Sequence, residues 1–211
     1  MTIKSEKQIQ DNPDVRKRLL AEALRLFTER GYAATTVREI VESAGVTKPV
    51  LYYYFGSKEG LYLEIMGGIS SLLDLRVSEL QQSGGTVRQR LLGFFSRLFT
   101  GAQENLPAVR LAYSIFYGAP QGAPFIDFNR FYDTILEMVT ALVDEGIATG
   151  ELRPCDRNAL AWALIGCQNT FIEEQLCRAE PRIGHEGLLQ AVNIILDGVA
   201  ACTSEIQGKM Q

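Results

Sequence analysis

The sequence predicts an all-α protein, with an N-terminal three-helix domain that holds a helix-turn-helix and a larger helical domain behind it. Apolar residues recur three and four positions apart almost throughout the chain, and glycines or prolines separate successive apolar segments. No stretch alternates apolar and polar residues as a half-buried strand does. About nine helices are expected. We predict a helix-turn-helix domain at residues 1–57 and a ligand-binding and dimerisation domain at residues 58–211.

The N-terminal domain is predicted from helix stop and cap signals. The first apolar stripe ends at Gly31, which supplies a helix stop. Thr36 and Glu39 have the spacing of a capping box, so a short second helix is expected after Thr36. Thr47 can cap a third helix, and Pro49 falls in its first turn, where a missing N–H is harmless.

The second domain is predicted to begin with a long fourth helix, which Ser57 caps and which runs towards Gln82. The remaining helices are expected near residues 85–104, 107–118, 124–149, 157–180 and 185–205. The segments that separate them are rich in glycine and proline, notably GAPQGAP and GELRPCD. The fourth helix is therefore expected to continue from one domain into the other.

Composition argues against several function classes. The chain has one histidine and four cysteines without CxxC spacing, so we expect no metal site, no cofactor and reduced thiols. It contains neither a GxSxG element nor a phosphate-binding loop. We predict no catalytic site, although an all-helical enzyme that works with carboxylates alone stays open as an alternative.

Charge is unevenly distributed along the chain. Residues 1–60 carry 10 basic and 8 acidic side chains, whereas the rest of the chain carries 11 basic and 17 acidic ones. A weakly basic segment on an acidic body is consistent with a local anionic partner, and a solvated charged face is the alternative and commoner explanation. No apolar run reaches about 18 residues and the N-terminus lacks an apolar signal core, so we expect a cytoplasmic protein without a membrane partner.

The second and third helices, joined by AGVT, have the pattern of a helix-turn-helix, whose second helix enters the DNA major groove. At the tip of that helix, Lys48 can donate to guanine, while Pro49 and Val50 can touch a thymine methyl. Lys58 lies in the first turn of the fourth helix and is expected to face outward. A helix N-terminus with a lysine attached is an anion site.

Three consecutive tyrosines, Tyr52, Tyr53 and Tyr54, follow within the third helix. Successive side chains of a helix point about 100° apart, and Leu51 and Phe55 are expected to take the inward face. At least one tyrosine should therefore point outward. A tyrosine hydroxyl in that position can donate to a DNA phosphate.

The segment from Arg18 to Leu63 combines the elements G-Y-x-x-T-T, A-G-V-[ST] and L-Y-x-[HY]-F-x-[SN]-K-[DE]-x-L. It closely resembles the N-terminal domain of the tetracycline-repressor (TetR) family of bacterial transcriptional regulators. The remainder matches only the family's plan of a divergent, all-helical regulatory domain. The resemblance implies a homodimer that binds a palindromic double-stranded operator, represses transcription and is released by a small hydrophobic inducer.

The resemblance also implies roles for single residues of the helix-turn-helix. Base-contacting or base-proximal positions are occupied by Arg38, Lys48, Pro49, Val50 and Tyr53. Phosphate-contacting positions are occupied by Thr36, Thr47, Tyr52, Tyr54 and Lys58. The operator sequence does not follow from the resemblance, because the residues at the tip of the third helix vary among members.

The family has a ligand cavity among its middle helices, and this sequence concentrates aromatic residues in the same region. A pocket needs such apolar walls and a few polar groups. The candidate pocket residues are Arg110, Tyr113, Phe116, Tyr117, Phe128, Phe131, Tyr132, Trp162, Gln168, Asn169 and Glu173. An ordinary aromatic core, or a helix–helix contact for the polar members, is the alternative.

The last helix carries a wide apolar stripe that resembles the family's dimer interface, where two helices from each subunit form a four-helix bundle. The candidate interface residues are Leu188, Val192, Ile195, Leu196 and Val199. The alternative is that the stripe covers the protein's own core.

The alternative function within the same class is a regulator that responds to another protein, or a repressor that has no inducer at all.

Overall fold

The computed structural model describes residues 13–118 and 122–200, which contain nine α-helices and no β-strand. The helices are α1 Pro13–Arg30, α2 Val37–Ser43, α3 Lys48–Phe55, α4 Lys58–Gln82, α5 Val87–Glu104, α6 Leu106–Tyr117, α7 Phe128–Thr149, α8 Arg157–Cys177 and α9 His185–Asp197. The all-α prediction is thereby confirmed. Helix α9 ends earlier than predicted, and residues 201–205 of the predicted helix lie outside the described part of the chain.

The described residues form two compact units. Unit one comprises the chain up to Ser71 together with Pro107–Ile126, and unit two comprises Leu72–Leu106 together with the chain from Asp127 onward. Helix α4 contributes residues to both units. The predicted domain boundary at residue 57 stays a prediction.

The core of unit one is built on one face of α1. Its buried residues lie mostly three and four positions apart, and they are Val15, Leu19, Ala23, Leu26 and Phe27. Phe27, Tyr32 and Tyr62 form a cluster whose ring centroids lie 5.0 to 6.1 Å apart. Tyr62 is fully buried, and burial raises its pKa to about 12. The cluster joins α1 and the α1–α2 connection to α4.

Side-chain caps fix the starts of two helices in unit one, α2 and α4. The Thr36–Glu39 capping box is confirmed, because the Glu39 amide donates to the Thr36 hydroxyl at 3.2 Å and the Thr36 amide donates to the Glu39 carboxylate at 2.8 Å. The Gly60 amide donates to the Ser57 hydroxyl at 2.9 Å, which confirms the predicted cap of α4. Thr47 occupies the N-cap position of α3, but its side chain makes no capping hydrogen bond, contrary to the prediction.

Unit two has a core to which α5, α7, α8 and α9 all contribute. The largest buried rings of this core, Phe94, Phe95 and Phe99, lie on α5. The three cysteines in the described ranges carry free thiols, and Cys202 lies outside those ranges. A search of the described residues finds no helix with the length and hydropathy that a membrane crossing needs.

The apolar stripe of α9 faces the core of unit two. Leu188, Val192 and Leu196 are completely buried there, and Ile195 and Val199 are partly buried against the same core. The prediction of a dimer interface is therefore wrong for the first three, because a side chain without exposed surface cannot meet a second subunit. The alternative interpretation of this stripe, that it covers the protein's own core, is the one the structure supports.

Candidate nucleic-acid interface

Helices α2 and α3 belong to unit one and are joined by a tight turn. Gly45 has a φ of 65° in this turn, a conformation that glycine adopts without strain. The Val46 amide closes the turn by donating to the Val41 carbonyl at 2.9 Å. Ile40 on α2 and Leu51 on α3 are completely buried. The segment predicted as a helix-turn-helix therefore folds as one.

Helix α3 turns an apolar face inward and an aromatic face outward. Leu51 and Phe55 are buried, whereas Tyr52 is 48% exposed and Tyr53 is 57% exposed. Tyr54 is half-buried, with its ring centroid 5.1 Å from that of Tyr53. The prediction that at least one tyrosine points outward is confirmed. Tyr52 also has about half of its surface exposed, although it follows the buried Leu51 directly.

The first turn of α3 is open to solvent. Lys48 and Pro49 are exposed, and Val50 is half-buried. Pro49 lies in the first turn of the helix, as predicted. The Thr47 hydroxyl, just before this turn, is not used to cap the helix. The tip of α3 can therefore offer a cation, apolar surface and a hydroxyl to a DNA groove.

Arg38 on α2 and Thr36, the N-cap residue just before this helix, are exposed, but their polar groups already have partners. The Arg38 guanidinium donates to the Glu42 carboxylate at 2.7 Å, and this hydrogen bond raises the pKa of Arg38. The Thr36 amide and hydroxyl lower the pKa of the Glu39 carboxyl within the capping box. A DNA contact by Arg38 requires the release of Glu42, a partner that the (i, i+4) spacing signals in the sequence.

Lys58 does not face outward. Its ammonium donates to the backbone carbonyls of Tyr32 and Thr35, each at 2.9 Å, and lies 4.0 Å from the centroid of the Tyr32 ring. Burial lowers the pKa of this lysine. The prediction that Lys58 forms an outward anion site is wrong, because two of its three N–H donors are directed at carbonyls of the α1–α2 connection. The local sequence gives no signal of these distant partners.

Four predicted pocket residues belong to unit one, where they lie on α6. Tyr113 is half-buried, while Arg110, Phe116 and Tyr117 are exposed. The Tyr117 ring centroid lies 4.7 Å from that of Phe116 and 5.6 Å from that of Tyr113. Within unit one these rings form an aromatic cluster with one exposed side.

The other seven predicted pocket residues belong to unit two, on α7 and α8. The half-buried members are Phe128, Phe131, Tyr132 and Asn169. Trp162 is 57% exposed and Glu173 is also exposed. Neither of these two side chains lies in the core of unit two, so the structure does not support them as walls of a cavity inside that unit.

Gln168 is the predicted pocket residue whose surroundings are unusual. It is 4% exposed on the inward face of α8, and neither its side-chain oxygen nor its nitrogen has a hydrogen-bond partner among the described residues. A buried polar group without partners typically destabilises the folded state by about 1–3 kcal/mol. An unsatisfied buried amide therefore marks a place where a bound molecule with a polar group can contribute stabilisation.

The sequence did not predict the exposed apolar surface on α8 and α9. Ile194 on α9 is 71% exposed, and Trp162 on α8 is also largely exposed. Gly166 lies one turn after Trp162, and a Cβ added to it would meet nothing within 4 Å. The signal in the sequence was the position of Ile194 outside the stripe that Leu188, Val192 and Leu196 form.

An open depression beside the start of α7 is polar. The residues that line it are Asp127, Asn129, Arg130, Asp133, Thr134 and Glu137. None of them was predicted as a pocket residue, and the carboxylates and the guanidinium give this depression little apolar surface. No group of three or more histidine, cysteine, aspartate or glutamate side chains in the described ranges is arranged to hold a metal ion.

An N-terminal helix-turn-helix with an open recognition helix, followed by a larger helical unit, defines the class of DNA-binding transcriptional regulators. A family model described as bacterial regulatory proteins, tetR family, matches residues 19–65. Together with the relatives described next, this match shows that the chain belongs to the TetR family of bacterial transcriptional regulators. The family resemblance noted from the sequence motifs is thereby confirmed.

The relatives extend the similarity well beyond the helix-turn-helix. The chain is 38% identical over 191 residues to the HTH-type transcriptional repressor KstR2 of Rhodococcus jostii (strain RHA1), an alignment that covers 88% of this chain and 91% of that protein. It is 31% identical over 140 residues to the repressor of the same name from Mycolicibacterium smegmatis (strain ATCC 700084 / mc(2)155), covering 66% of this chain and 68% of that protein. Both relatives are repressors, in agreement with the prediction.

A solved structure supports the same fold over nearly the whole chain. The ketosteroid transcriptional regulator KstR2 of Mycobacterium tuberculosis matches with a TM-score of 0.71 and 25% identity, covering 92% of this chain and 98% of that one. The relatives named here are transcriptional regulators, not enzymes.

Proposed function

We propose that the chain acts as a homodimeric repressor, which binds a palindromic operator and leaves it when a small apolar molecule binds. The observation that carries the DNA part is the outward face of α3, where exposed lysine, proline and tyrosine side chains lie together at the end of a helix-turn-helix. In this motif the N-terminal residues of the second helix read base edges.

Within this face, the first turn reads bases and the tyrosines fix the position of the helix. Lys48 donates to guanine O6 or N7, and Pro49 and Val50 touch a thymine methyl. The Tyr52 hydroxyl donates to a phosphate oxygen, which positions the motif without reading sequence. Tyr53, the more exposed of the pair, lies beside the bases.

The residues around this face have supporting roles. The Thr47 hydroxyl and Tyr54 are proposed phosphate contacts, and Arg38 reaches the DNA after it releases Glu42. Thr36 contributes mainly by capping α2, because its hydroxyl is paired with Glu39. Lys58 is left out of the proposed contacts, since its ammonium is held inside unit one.

The proposed dimer forms through the exposed face of α8 and α9. Trp162 and Ile194 supply exposed apolar surface, and Gly166 leaves room for the close approach of a second helix. A two-fold interface uses the same surface of both subunits. A dimer also supplies the two recognition helices that a palindromic operator requires.

The proposed inducer is an apolar molecule with a carbonyl or hydroxyl group. Gln168 supports this chemistry, because its buried amide can donate to such a group or accept from it. The solved relative is described as a ketosteroid regulator, and an apolar ring system with a keto group has the same chemistry. Helix α4 contributes to both units, so a ligand that prefers one position of α4 changes operator affinity.

Fluorescence anisotropy on duplexes enriched from a random DNA library tests the DNA assignment. We expect Lys48→Ala to weaken discrimination at one base-pair position by about 1–3 kcal/mol. Lys17→Ala is the control, because Lys17 is exposed on α1 and its removal changes the charge equally without touching α3. Equal discrimination by the wild type and Lys48→Ala would remove this lysine from base readout.

A thermal-shift screen of apolar molecules tests the inducer part, since a ligand of the folded state raises its stability. We expect ketone or alcohol ligands to raise the melting temperature of the wild type and to release it from operator DNA. Gln168→Leu should melt no earlier than the wild type without ligand, yet lose the shift. If no molecule both shifts melting and releases DNA, the regulator without a small-molecule inducer becomes the better proposal.

A further inference from the structure

Lys58 is the first residue of α4, and its side chain turns back onto the α1–α2 connection. Two of its three N–H donors are directed at the carbonyls of Tyr32 and Thr35, each 2.9 Å away. The ring of Tyr32 lies 4.0 Å from the same nitrogen. A cation at this distance from an aromatic face is attracted by the ring quadrupole.

The groups that hold Lys58 are themselves fixed. The Tyr32 ring packs against Phe27 and Tyr62, with centroid distances of 5.3 and 5.0 Å. The buried Thr35 hydroxyl donates to the Gly31 carbonyl at 2.9 Å. Lys58 therefore binds to a rigid corner of unit one, because both of its partners are buried and hydrogen-bonded or packed in turn.

This corner is where the helix-turn-helix begins. Thr36 follows Thr35 directly and is the N-cap residue of α2. The contact between Lys58 and the Thr35 carbonyl therefore links the first residue of α4 to the residue before the cap of α2. Any displacement of the first turn of α4 acts on the start of α2 through this link.

We propose that Lys58 is a positioning residue, which fixes α2 and the first turn of α4 in the arrangement that binds DNA, and that it does not neutralise a phosphate. This inference rests on the proposed DNA-binding function. An ammonium that contacted DNA would have to leave two carbonyls and the Tyr32 ring, which together provide more partners than one phosphate oxygen does.

Lys48 provides a matched control for the test. Lys48 and Lys58 are the first residues of successive helices, and Lys48 is exposed where Lys58 is held. Lys48→Met and Lys58→Met therefore make the same chemical change in two different surroundings. The readout is operator affinity against salt concentration, where each phosphate neutralised contributes about 0.9 to the slope of log K against log salt.

We expect Lys58→Met to bind the operator roughly tenfold more weakly at every salt concentration, with the wild-type slope, because a lost charged hydrogen bond has effects of this order. Affinity is measured at a temperature where circular dichroism shows full folding, so that a role in stability alone leaves it unchanged. Lys58→Arg should bind within about twofold of the wild type, because a guanidinium can donate to two carbonyls and stack on a ring.

Three results would overturn the proposal: a slope for Lys58→Met reduced by about 0.9, an unchanged affinity, or a Lys58→Arg variant as weak as Lys58→Met. If Lys58→Met does not fold, Tyr32→Leu replaces it, since it removes the ring and keeps every charge. If Tyr32→Leu binds the operator more weakly and keeps the wild-type slope of log K against log salt, the proposal is supported. If Tyr32→Leu binds with wild-type affinity, the proposal is contradicted. If Lys48→Met changes neither slope nor discrimination, the proposed role of α3 fails separately from that of Lys58.

Discussion

Lys48 and Lys58 have the same side chain, and each follows a hydroxyl residue at the start of a helix. Their surroundings nevertheless give them different roles. The Lys48 side chain is exposed to solvent, whereas the Lys58 ammonium donates to the backbone carbonyls of residues 32 and 35. Local sequence predicts both as outward cations, because it reports helix position and side-chain type. It does not report which distant backbone groups fold against a side chain.

Glu174 ties the end of α8 to the loop before α9. Its carboxylate accepts from the Arg182 guanidinium at 2.9 and 3.0 Å and from the Arg182 backbone amide at 3.0 Å. Arg178 lies 3.2 Å from the same carboxylate. These contacts lower the pKa of Glu174 from 4.5 to about 2, and the hydrogen bonds from the Arg182 side chain have the largest effect.

Glu174→Gln should therefore melt at a lower temperature than the wild type at neutral pH. Because the folded-state pKa lies below the unfolded-state value, the contribution of the carboxylate is present above about pH 4.5 and is lost as the pH falls to about 2. Melting temperatures of both proteins, measured by circular dichroism along this pH series, should converge in acid. A difference that stays constant over the series would show that ionised Glu174 does not stabilise the loop.

Helix α4 contains glycines with contrasting surroundings. A Cβ added to Gly60 would lie 2.1 Å from the Phe55 carbonyl oxygen, which is too close for any side chain. A Cβ added to Gly67 or Gly68, later in the same helix, would meet nothing within 4 Å. Gly60 is therefore required for the tight passage from α3 to α4, whereas the other two are not needed for close packing.

Gly60→Ala should lower the free energy of unfolding by about 2 kcal/mol or more, because backbone must move to admit the methyl group. Gly67→Ala and Gly68→Ala serve as controls in the same helix and should each raise it by about 0.5–1 kcal/mol, since alanine has the better helix propensity. Urea unfolding of the three variants measures the difference. Similar effects at all three positions would mean that the Gly60 contact relaxes freely.

At the scale of elements, sequence predicts where helices lie better than it predicts what covers them. The capping box at Thr36 and the cap at Ser57 located two helix starts, because caps act between residues a few positions apart. The α9 stripe identified a buried face correctly, but its partner is the core of unit two and not another subunit. The position of Val192 in the apolar stripe is the same whether it packs in the core of unit two or against another subunit. Periodicity indicates that a side chain is buried and does not indicate what buries it.

At the scale of the whole molecule, the exposed face of α8 and α9 makes a prediction about assembly. Trp162→Glu combined with Ile194→Glu should give a folded monomer, because charge is unfavourable in an apolar interface and harmless on an exposed surface. Val192→Glu is the contrasting variant and should unfold or precipitate, because it places a charge in the core of unit two. Sedimentation velocity and circular dichroism distinguish these results. A double variant that still sediments as a dimer would place the interface on another surface.

Selection of DNA from a random duplex library is the measurement that tests the central claim most directly. The wild-type protein should enrich a two-fold symmetric sequence, with half-site centres about 10–10.5 base pairs apart or a multiple of that spacing. A Lys48→Ala, Tyr53→Ala variant should enrich a sequence that is less defined at the positions under the tip of α3. If the wild type enriches no symmetric sequence, or if both proteins enrich the same sequence equally well, the outward face of α3 is not the recognition surface of this regulator.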